Sequence, residues 1–429
     1  LIMLSIINLS LSLTPAETKK EPLAEQKSVL VIKVDGVINP VASEYINKSI
    51  KKASDLNIEA LIIELDTPGG LDTSMRSIVK DIINSNVPVV VYVSPSGARA
   101  ASAGVFITMS AHIAAMSPGT NIGAAHPVAI GEKMDKAVVE KAVNDVVAFI
   151  KSIAEQKGRN SKWAEDAVRK SISATETEAL KNNVIDLIAS DIASLLKEID
   201  GRKVKLIVGE RELKTANAKV IREEMGLRQK ILNLISDPNI AYILMILGFY
   251  GLFFELTNPG AIFPGVIGAL CLVLAFYSFQ TLPVNYAGLL LILIGLVLFV
   301  LEVKVVSYGM LTIGGIVSMV LGSLMLFESS MPFLRVSLSI VIPAAIVTAL
   351  FFVLTFRLAY KAYKRRPVTG VEGLIGTEGF AMTDITSDGG TAIVHGEYWS
   401  AYSEELIKKG EKLIVESVKG LKVKVKRIN

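Results

Sequence analysis

Five long apolar runs in the second half of the chain constrain its fold more than any other feature. They are Asn239–Glu255, Ile262–Phe279, Tyr286–Leu301, Met310–Phe327 and Leu338–Phe356. Each run comes close to the ~20 residues that a helix needs to cross the hydrocarbon core of a bilayer. Because polar residues, Pro and Gly separate the runs, the sequence predicts five transmembrane α-helices over residues 237–360.

The two ends of the chain predict how these helices are oriented. Leu1–Leu13 is almost wholly apolar and too short to cross a bilayer, so residues 1–16 resemble a secretory signal, with a charged linker over residues 17–26. Basic residues follow the last apolar run: Arg357, Lys361, Lys364, Arg365 and Arg366. Positive charge marks the cytoplasmic side. We therefore expect a multi-pass plasma-membrane protein whose first domain is extracytoplasmic and whose C-terminal domain is cytoplasmic.

Strands and helices alternate over residues 27–236. Ala60–Leu65 is apolar on both faces, as buried parallel strands are. Three further strands are predicted, and with them four helices: Val29–Val34, Pro88–Val93 and His112–Met116, then Ala42–Ala53, Leu71–Ile83, one that opens near Ala100, and Glu132–Lys157. This rhythm predicts an α/β domain with a parallel sheet and helical crossovers.

Residues 361–429 return to a soluble pattern. Leu421, Val423 and Val425 alternate with lysines, which predicts a half-buried strand, and Thr391–His395 and Lys412–Ser417 also read as strands. Several short strands in so short a stretch predict a small all-β, OB-like barrel. Tyr398 and Trp399 are candidates for its core.

Composition excludes several classes of function. The chain has 45 basic and 41 acidic residues, and no basic stripe interleaved with aromatic residues, so no nucleic-acid partner is expected. Cys271 lies within an apolar run, and His112, His126 and His395 are far apart in the sequence. Without a cysteine–histidine cluster, we expect neither a metal site nor a cofactor.

Ser102 is the candidate nucleophile. Ala100, Ala101, Ala103 and Gly104 surround it, so other groups can approach its hydroxyl closely. A small serine that packs a helix against a sheet would have the same neighbours. Upstream, Gly69 and Gly70 follow a buried strand, and they form either a tight turn or an oxyanion hole of unobstructed N–H groups.

A nucleophilic serine needs a base, and His or a desolvated Lys is the usual one. His126 lies downstream, and the following helical stretch supplies Lys133, Lys136, Lys141, Lys151 and Lys157. A lysine base must have its pKa lowered by roughly 3 units, which only burial or a nearby cation achieves. The sequence shows neither.

Four motifs in order resemble the NfeD family of membrane-bound, ClpP-class serine proteases, relatives of signal peptide peptidase A. The motifs are Asp66–Gly70, Ala101–Gly104, Pro118–Ala125 and Ala174–Leu180 with Val184–Asp186. The resemblance implies a ClpP/crotonase-like α/β spiral followed by the membrane helices and the barrel. It implies a protease domain at residues 27–236, with the membrane domain at 237–360 and the barrel at 361–429.

The resemblance also implies a Ser–Lys dyad. Lys141-Ala142-Val143-Asn144, followed by Lys151-Ser152-Ile153-Ala154, fits the family's helix motif, so Lys141 carries over as general base to Ser102. Gly69, Gly70 and the N–H near Ala103 match the oxyanion hole. His126 lies about where ClpP places its histidine and is a rival base. We favour Lys141 on the helix motif.

The resemblance further implies a stomatin-like (SPFH) membrane protein as substrate or partner, contact with membrane lipid, and assembly into a homo-oligomer. The resulting hypothesis is a serine endopeptidase that cleaves hydrophobic segments of membrane-associated proteins. The alternative is a non-catalytic scaffold that docks a stomatin-like protein in membrane microdomains. An acyl-CoA enzyme on the same fold is a weaker reading, because an exported domain has no supply of CoA.

Overall fold

The computed structural model describes residues 27–127, 136–257, 260, 262–280, 282, 284–305, 307, 309–327, 334–363 and 371–428. The predicted signal segment, the linker and the basic residues Lys364–Arg366 lie outside these ranges. Contacts divide the chain into two compact units, residues 1–345 and residues 346–429.

Strands and helices alternate through the first region, as predicted. Its strands are β1 (Ser28–Asp35), β2 (Ala60–Asp66), β3 (Val89–Val93), β4 (Arg99–Ala101), β5 (Ile113–Met116), β6 (Asn121–Gly123), β7 (Ser173–Thr175), β8 (Leu187–Ile188), β9 (Lys203–Leu206), β10 (Gly209–Glu212) and β11 (Lys219–Glu223). Its helices are α1 (Pro40–Asp55), α2 (Asp72–Ile83), α3 (Ala103–Ser110), α4 (Lys136–Gln156), α5 (Ser161–Arg169), α6 (Glu176–Lys181), α7 (Ile192–Ile199) and α8 (Leu227–Ile235).

A six-stranded sheet in the order β11-β1-β2-β3-β5-β8 forms the centre of this region. Every neighbouring pair in it is parallel, so the predicted parallel sheet with helical crossovers is confirmed. In β2, Leu61 and Ile63 belong to the core on one face of the sheet, and Ala60 and Ile62 to the core on the other. Because both faces are covered, the strand is apolar throughout.

A small second sheet, in the order β4-β6-β7, adjoins the carboxyl end of β2. A parallel bridge between Thr67 and Ala100 joins the two. The helix predicted to open near Ala100 begins at Ala103 instead, because Arg99–Ala101 pair with β6 as a strand.

Five apolar helices follow: α9 (Pro238–Thr257), α10 (Ile262–Phe279), α11 (Tyr286–Lys304), α12 (Met310–Met325) and α13 (Leu338–Tyr363). Within the described ranges, two apolar stretches are long enough to cross a membrane, Pro238–Leu256 and Ile262–Phe279, where five were predicted. The apolar parts of α11, α12 and α13 are shorter. At 1.5 Å per residue, a 16-residue helix such as α12 is about 24 Å long, less than the ~30 Å hydrocarbon core.

Small residues bring α11 and α12 close together. An added Cβ on Gly322 would lie 2.6 Å from the Gly288 carbonyl oxygen, and Ser318 Oγ donates to the Leu291 carbonyl at 2.9 Å. Ser318 and Gly322 therefore lie in the packing surface of α12. Gly315 also belongs to it, since its added Cβ would lie 2.7 Å from the Phe299 ring, whereas an added Cβ on Gly314 would make only an ordinary 3.5 Å contact.

The second unit ends in a five-stranded closed barrel, in the order β12-β13-β14-β16-β15. A short helix, α14 (Val371–Leu374), precedes β12 (Glu378–Ala381), β13 (Gly390–Val394), β14 (Glu397–Tyr402), β15 (Lys412–Lys419) and β16 (Lys422–Arg427). The OB-like barrel is as predicted, but two of its expected core residues are wrong. Leu421 lies in the turn before β16 and is 84% exposed, and Tyr398 is 69% exposed, whereas Trp399 packs against the barrel core.

Candidate functional site

Ser102 lies in a sharp turn between β4 and α3. Its φ is 51° and its ψ is −112°, a backbone conformation that residues other than glycine rarely adopt. Its N–H donates to the Gly123 carbonyl at 3.1 Å, which fixes the turn to β6. A strained turn from strand to helix is the geometry that presents a nucleophilic serine in other hydrolase folds, although the G-x-S-x-G motif is absent here.

Small side chains let α3 pack against the end of β2. An added Cβ on Gly104 would lie 2.7 Å from Thr67 Cγ2 and 3.2 Å from Ala100 Cβ, so no larger residue fits without movement. Ala100 and Ala103 are buried in the same place. The absence of bulk that singles out Ser102 in the sequence is thus a packing requirement of the turn.

Gly69 lies directly against Ser102. An added Cβ on Gly69 would lie 2.7 Å from Ser102 Cβ and 3.2 Å from its Oγ, and Gly69 has a φ of +122° that favours glycine. The fully buried Thr67 holds this loop, since its Oγ1 accepts from the Gly69 N–H at 3.0 Å and donates to the Gly69 carbonyl at 3.1 Å. The two candidate motifs are therefore adjacent in space.

Among the described residues, two backbone N–H groups in the turns that contain Gly69 and Ser102 make no hydrogen bond. The Gly69 N–H is bound by Thr67. The bridge between Gly70 and Ile38 uses the Gly69 carbonyl and the Leu71 N–H, which leaves the Gly70 N–H out of it. Ala103 is the first residue of α3, so its N–H has no partner within the helix. Of the predicted oxyanion-hole residues, Gly70 and Ala103 thus have an N–H without a partner in the described part of the chain, whereas Gly69 does not.

Lys141 makes no hydrogen bond to Ser102 among the described residues. It is exposed on α4, whose buried face carries Val143, Val147 and Ile150. Two residues before Val143, its side chain is turned about 200° around the helix from that face. No hydrogen bond joins Ser102 to Lys141 or to His126 in the described part of the chain, so the dyad stays a prediction.

His126 is half-buried and tethered. Its Nδ1 lies 2.8 Å from the Val168 carbonyl oxygen. A carbonyl oxygen only accepts hydrogen bonds, so we assign the proton to Nδ1. In the neutral ring, this tautomer leaves the lone pair on Nε2, which is the arrangement that a histidine base requires.

Lys157 does have a lowered pKa, but it lies at the opposite ends of the strands from Ser102. Burial and the nearby Arg159 lower the pKa of Lys157 to about 8. Burial, with the positive charges of Lys157 and Arg159, lowers the pKa of His112 to about 3. Because His112 directly precedes β5 and accepts from the Val89 N–H, this cluster lies at the amino ends of the strands. Gly69 follows the carboxyl end of β2, so Lys157 is remote from Ser102.

Three family models match successive parts of the chain. They are the NfeD1b N-terminal domain over residues 28–217, the NfeD integral membrane domain over residues 239–357, and the NfeD-like C-terminal, partner-binding domain over residues 371–427. The chain is also 36% identical over 420 residues, 95% of each protein, to the membrane-bound protease PH1510 of Pyrococcus horikoshii. The chain belongs to the NfeD family. It is therefore a membrane protein.

Two further likenesses accompany this assignment. The NfeD-family membrane protein NfeD1b of Bacillus subtilis is 28% identical over 424 residues, 94% of each protein. A solved structure of the 1510-N membrane-bound stomatin-specific protease, a lysine-to-alanine mutant in complex with a substrate peptide, is 37% identical. It covers 49% of this chain and 98% of its own, with a TM-score of 0.46.

Sequence reasoning on this NfeD-family chain missed the residues that hold the turn. Thr67 and Gly123 lie inside motifs that were singled out, yet nothing in the sequence assigned them a role. Asp66 Oδ1 also accepts from the Arg99 N–H at 3.0 Å, which fixes β4 beside β2. Their signal was position: each directly follows or ends a short strand. Among the described residues, no group of three or more His, Cys, Asp or Glu side chains is placed to hold a metal ion.

Proposed function

We propose that this NfeD-family chain is a membrane-anchored serine endopeptidase. The observation that carries the proposal is Ser102 at positive φ, with the Gly69 backbone against its side chain. The 36% identity to a membrane-bound protease over 95% of each chain supports it. We assign Ser102 as nucleophile and Lys141 as general base, on the α/β spiral of the ClpP class.

The chemistry follows from these assignments. Ser102 Oγ attacks a peptide carbonyl and passes its proton to Lys141 Nζ, while the N–H groups of Gly70 and Ala103 bind the oxyanion. Lys141 then protonates the leaving amine, and afterwards takes a proton from the water that hydrolyses the acyl-enzyme. Because Lys141 is exposed in the single chain, the proposal requires bound substrate or a second copy to cover it, since a lysine base must be uncharged.

Cleavage of a hydrophobic peptide by variants of the full-length chain tests the dyad. We expect Ser102→Ala and Lys141→Ala each to lower kcat/KM by at least about 10³-fold. Lys151→Ala is the matched control on the same helix, where Lys151 pairs with Glu165 at 3.2 Å. Undiminished cleavage by Ser102→Ala or by Lys141→Ala would remove that residue from the mechanism.

His126 is the rival base, favoured by its Nδ1 contact with the Val168 carbonyl. His126→Ala separates the two mechanisms. With a Ser–Lys dyad, this variant keeps most of its activity. A loss as large as that of Ser102→Ala, with Lys141→Ala still active, assigns the base to His126 instead.

We further propose extended, hydrophobic segments of a stomatin-like membrane protein as substrates. The solved relative that is 37% identical is described as stomatin-specific, and a partner-binding model matches residues 371–427. An exposed sheet edge suits an extended segment, because main-chain hydrogen bonds can add it as a strand. The test is cleavage of a peptide from a hydrophobic segment of a stomatin-like protein, compared with a peptide of the same residues in scrambled order.

A scaffold without turnover is the second candidate, and the exposed Lys141 favours it. A serine without a base is inert, whereas a partner-binding domain would still dock a protein. A phosphonate probe that reacts with activated serines distinguishes the two. Labelling that Ser102→Ala abolishes supports the protease, and a chain that stays unlabelled with its partner and lipid present supports the scaffold.

For the membrane domain we propose five crossings and the predicted orientation. Contacts gather the starts of α9, α11 and α13 and the end of α12 at one end, and Ser278 at the end of α10 donates to the Ile235 carbonyl just before α9. Ser337 N–H donates to Asn239 Oδ1 at 2.8 Å, Tyr242 and Ser323 hydroxyls lie 2.8 Å apart, and Asn285 N–H donates to Leu326. Successive helices thus run in opposite directions, as crossings do. The domain boundaries of the sequence prediction are retained with this proposal.

A further inference from the structure

Helix α8 carries an apolar stripe that no described residue covers. Leu227, Ile231 and Leu234 are 77%, 48% and 58% exposed. Their spacing of four and three residues places them within about 60° of one another around the helix. Three large apolar side chains in one line on a nine-residue helix are a surface that water does not favour.

The opposite face of α8 is attached to the first domain. Asn39 Nδ2 donates to Asn233 Oδ1 at 2.8 Å. Leu232 and Asn233 are half-buried on this side. Because this side is anchored, the apolar stripe has a fixed direction, away from α1.

The stripe lies next to the membrane domain. Only Ser236 and Asp237 separate α8 from α9, so the last residue of α8 lies within about 11 Å of the first residue of α9. Ser278, near the end of α10, donates to the Ile235 carbonyl, which ties the end of α8 to a second membrane helix. The stripe thus lies beside the start of α9 and the end of α10, at one end of the membrane helices.

Charges border the stripe on both sides. Arg228 lies on one side of the stripe and Lys230 on the other, and their side chains are 73% and 54% exposed. Each also has an acidic neighbour, since Lys230 lies 2.6 Å from Glu224 and Arg228 3.5 Å from Glu44. An apolar stripe between cationic borders is the pattern of helices that lie in a membrane interface.

We propose that α8 lies on the bilayer surface, with Leu227, Ile231 and Leu234 inserted at the boundary of head groups and acyl chains. The occupant of this face is lipid. The inference goes beyond proteolysis: it assigns α8 a lipid-binding surface that docks the first domain on the membrane, and it holds whether or not Ser102 is catalytic.

Site-directed fluorescence in the full-length chain tests the proposal. An environment-sensitive probe is attached to Ile231→Cys, and in a separate chain to Lys197→Cys as control, both with Cys271→Ala. Lys197 is exposed on α7, far along the chain from α8. The proteins are reconstituted into vesicles of phosphatidylcholine and phosphatidylglycerol, with and without nitroxide-bearing lipids.

We expect blue-shifted emission from the probe at position 231 and several-fold stronger nitroxide quenching than at position 197. Emission at position 231 that matches the control would overturn the proposal. Blue-shifted emission without quenching by nitroxide lipids would overturn it too, because protein rather than lipid would then cover the stripe.

Discussion

At the scale of single residues, several small neighbours hold Ser102 in a strained backbone conformation. A non-glycine residue at positive φ costs about 1–3 kcal/mol, and Ser102 is held there by its bond to Gly123 and by the contact with Gly69. Strain that the surroundings maintain points to a role for that residue. Substitution of the neighbours should therefore act on the serine.

Gly69→Ala should abolish peptide cleavage. The new Cβ would lie 2.7 Å from Ser102 Cβ, and the positive φ adds about 1 kcal/mol or more of strain. Gly36→Ala is the control, because Gly36 has a similar φ of +109° with nothing within 4 Å of an added Cβ. Cleavage assays and thermal unfolding of both variants check this. Equal activity of the two variants would contradict a direct effect on Ser102.

Acid should loosen the region around His112. The folded state keeps His112 neutral, with its pKa lowered to about 3, whereas an unfolded histidine takes up a proton near pH 6.5. As pH falls below about 6.5, protonation favours the open state, so stability decreases progressively toward pH 3. His112→Asn, which can still accept the Val89 N–H, should remove this loss.

Hydrogen exchange of the peptide that contains Ser110–His112, measured across this pH range, checks the effect of His112→Asn. The exposed His395 supplies the control as His395→Asn. The idea is wrong if wild type and His112→Asn lose protection in parallel as the pH falls.

At the scale of elements, the local pattern of apolar residues was sufficient to predict a helix or strand that buries one or both of its faces. Strands such as Ala60–Asp66 and helices such as Asp72–Ile83 were predicted within two residues. The direction in which a helix points a given side chain was harder to predict. The motif that places Lys141 on a helix cannot show which way that helix turns it, because the buried face is set by distant packing partners such as Phe106, which stacks on Phe149.

Gly322→Ala should weaken the pairing of α11 with α12. The added Cβ would meet the Gly288 carbonyl oxygen at 2.6 Å, and overpacking of this kind costs about 1–3 kcal/mol. Gly314→Ala, on the same helix but with only a 3.5 Å contact, should be nearly neutral. Thermal unfolding of the purified protein in detergent measures both. Equal melting temperatures would exclude close packing at Gly322.

At the scale of the whole molecule, the sequence predicted the order of the parts, and composition was enough for that. Long apolar runs and a compact β-rich tail are properties of segments, so they can be read without knowing any contact. The lengths of the last three apolar runs were overestimated, because the runs were counted with their flanking residues. The apolar stretches of α11, α12 and α13 are shorter than those of α9 and α10.

Because five is an odd number of crossings, Lys197 and Lys426 should lie on opposite sides of the membrane. With Cys271→Ala as background, Lys197→Cys should react with a membrane-impermeant maleimide on intact cells. Lys426→Cys, on the exposed face of β16, should react only after permeabilisation. Labelling of both positions on intact cells would refute five crossings.

The bond between Asn39 and Asn233 has a consequence for which peptide bonds are in reach. Asn39 directly follows Ile38, whose N–H binds the Gly69 carbonyl at 2.8 Å, so only a few contacts separate the serine from the helix beside the bilayer. If α8 lies on lipid and Ser102 is the nucleophile, as proposed, the distance between them fixes how far above the bilayer a peptide bond is cut. We then expect the cleavage site in a membrane-anchored substrate to depend on its distance from the membrane more than on its sequence.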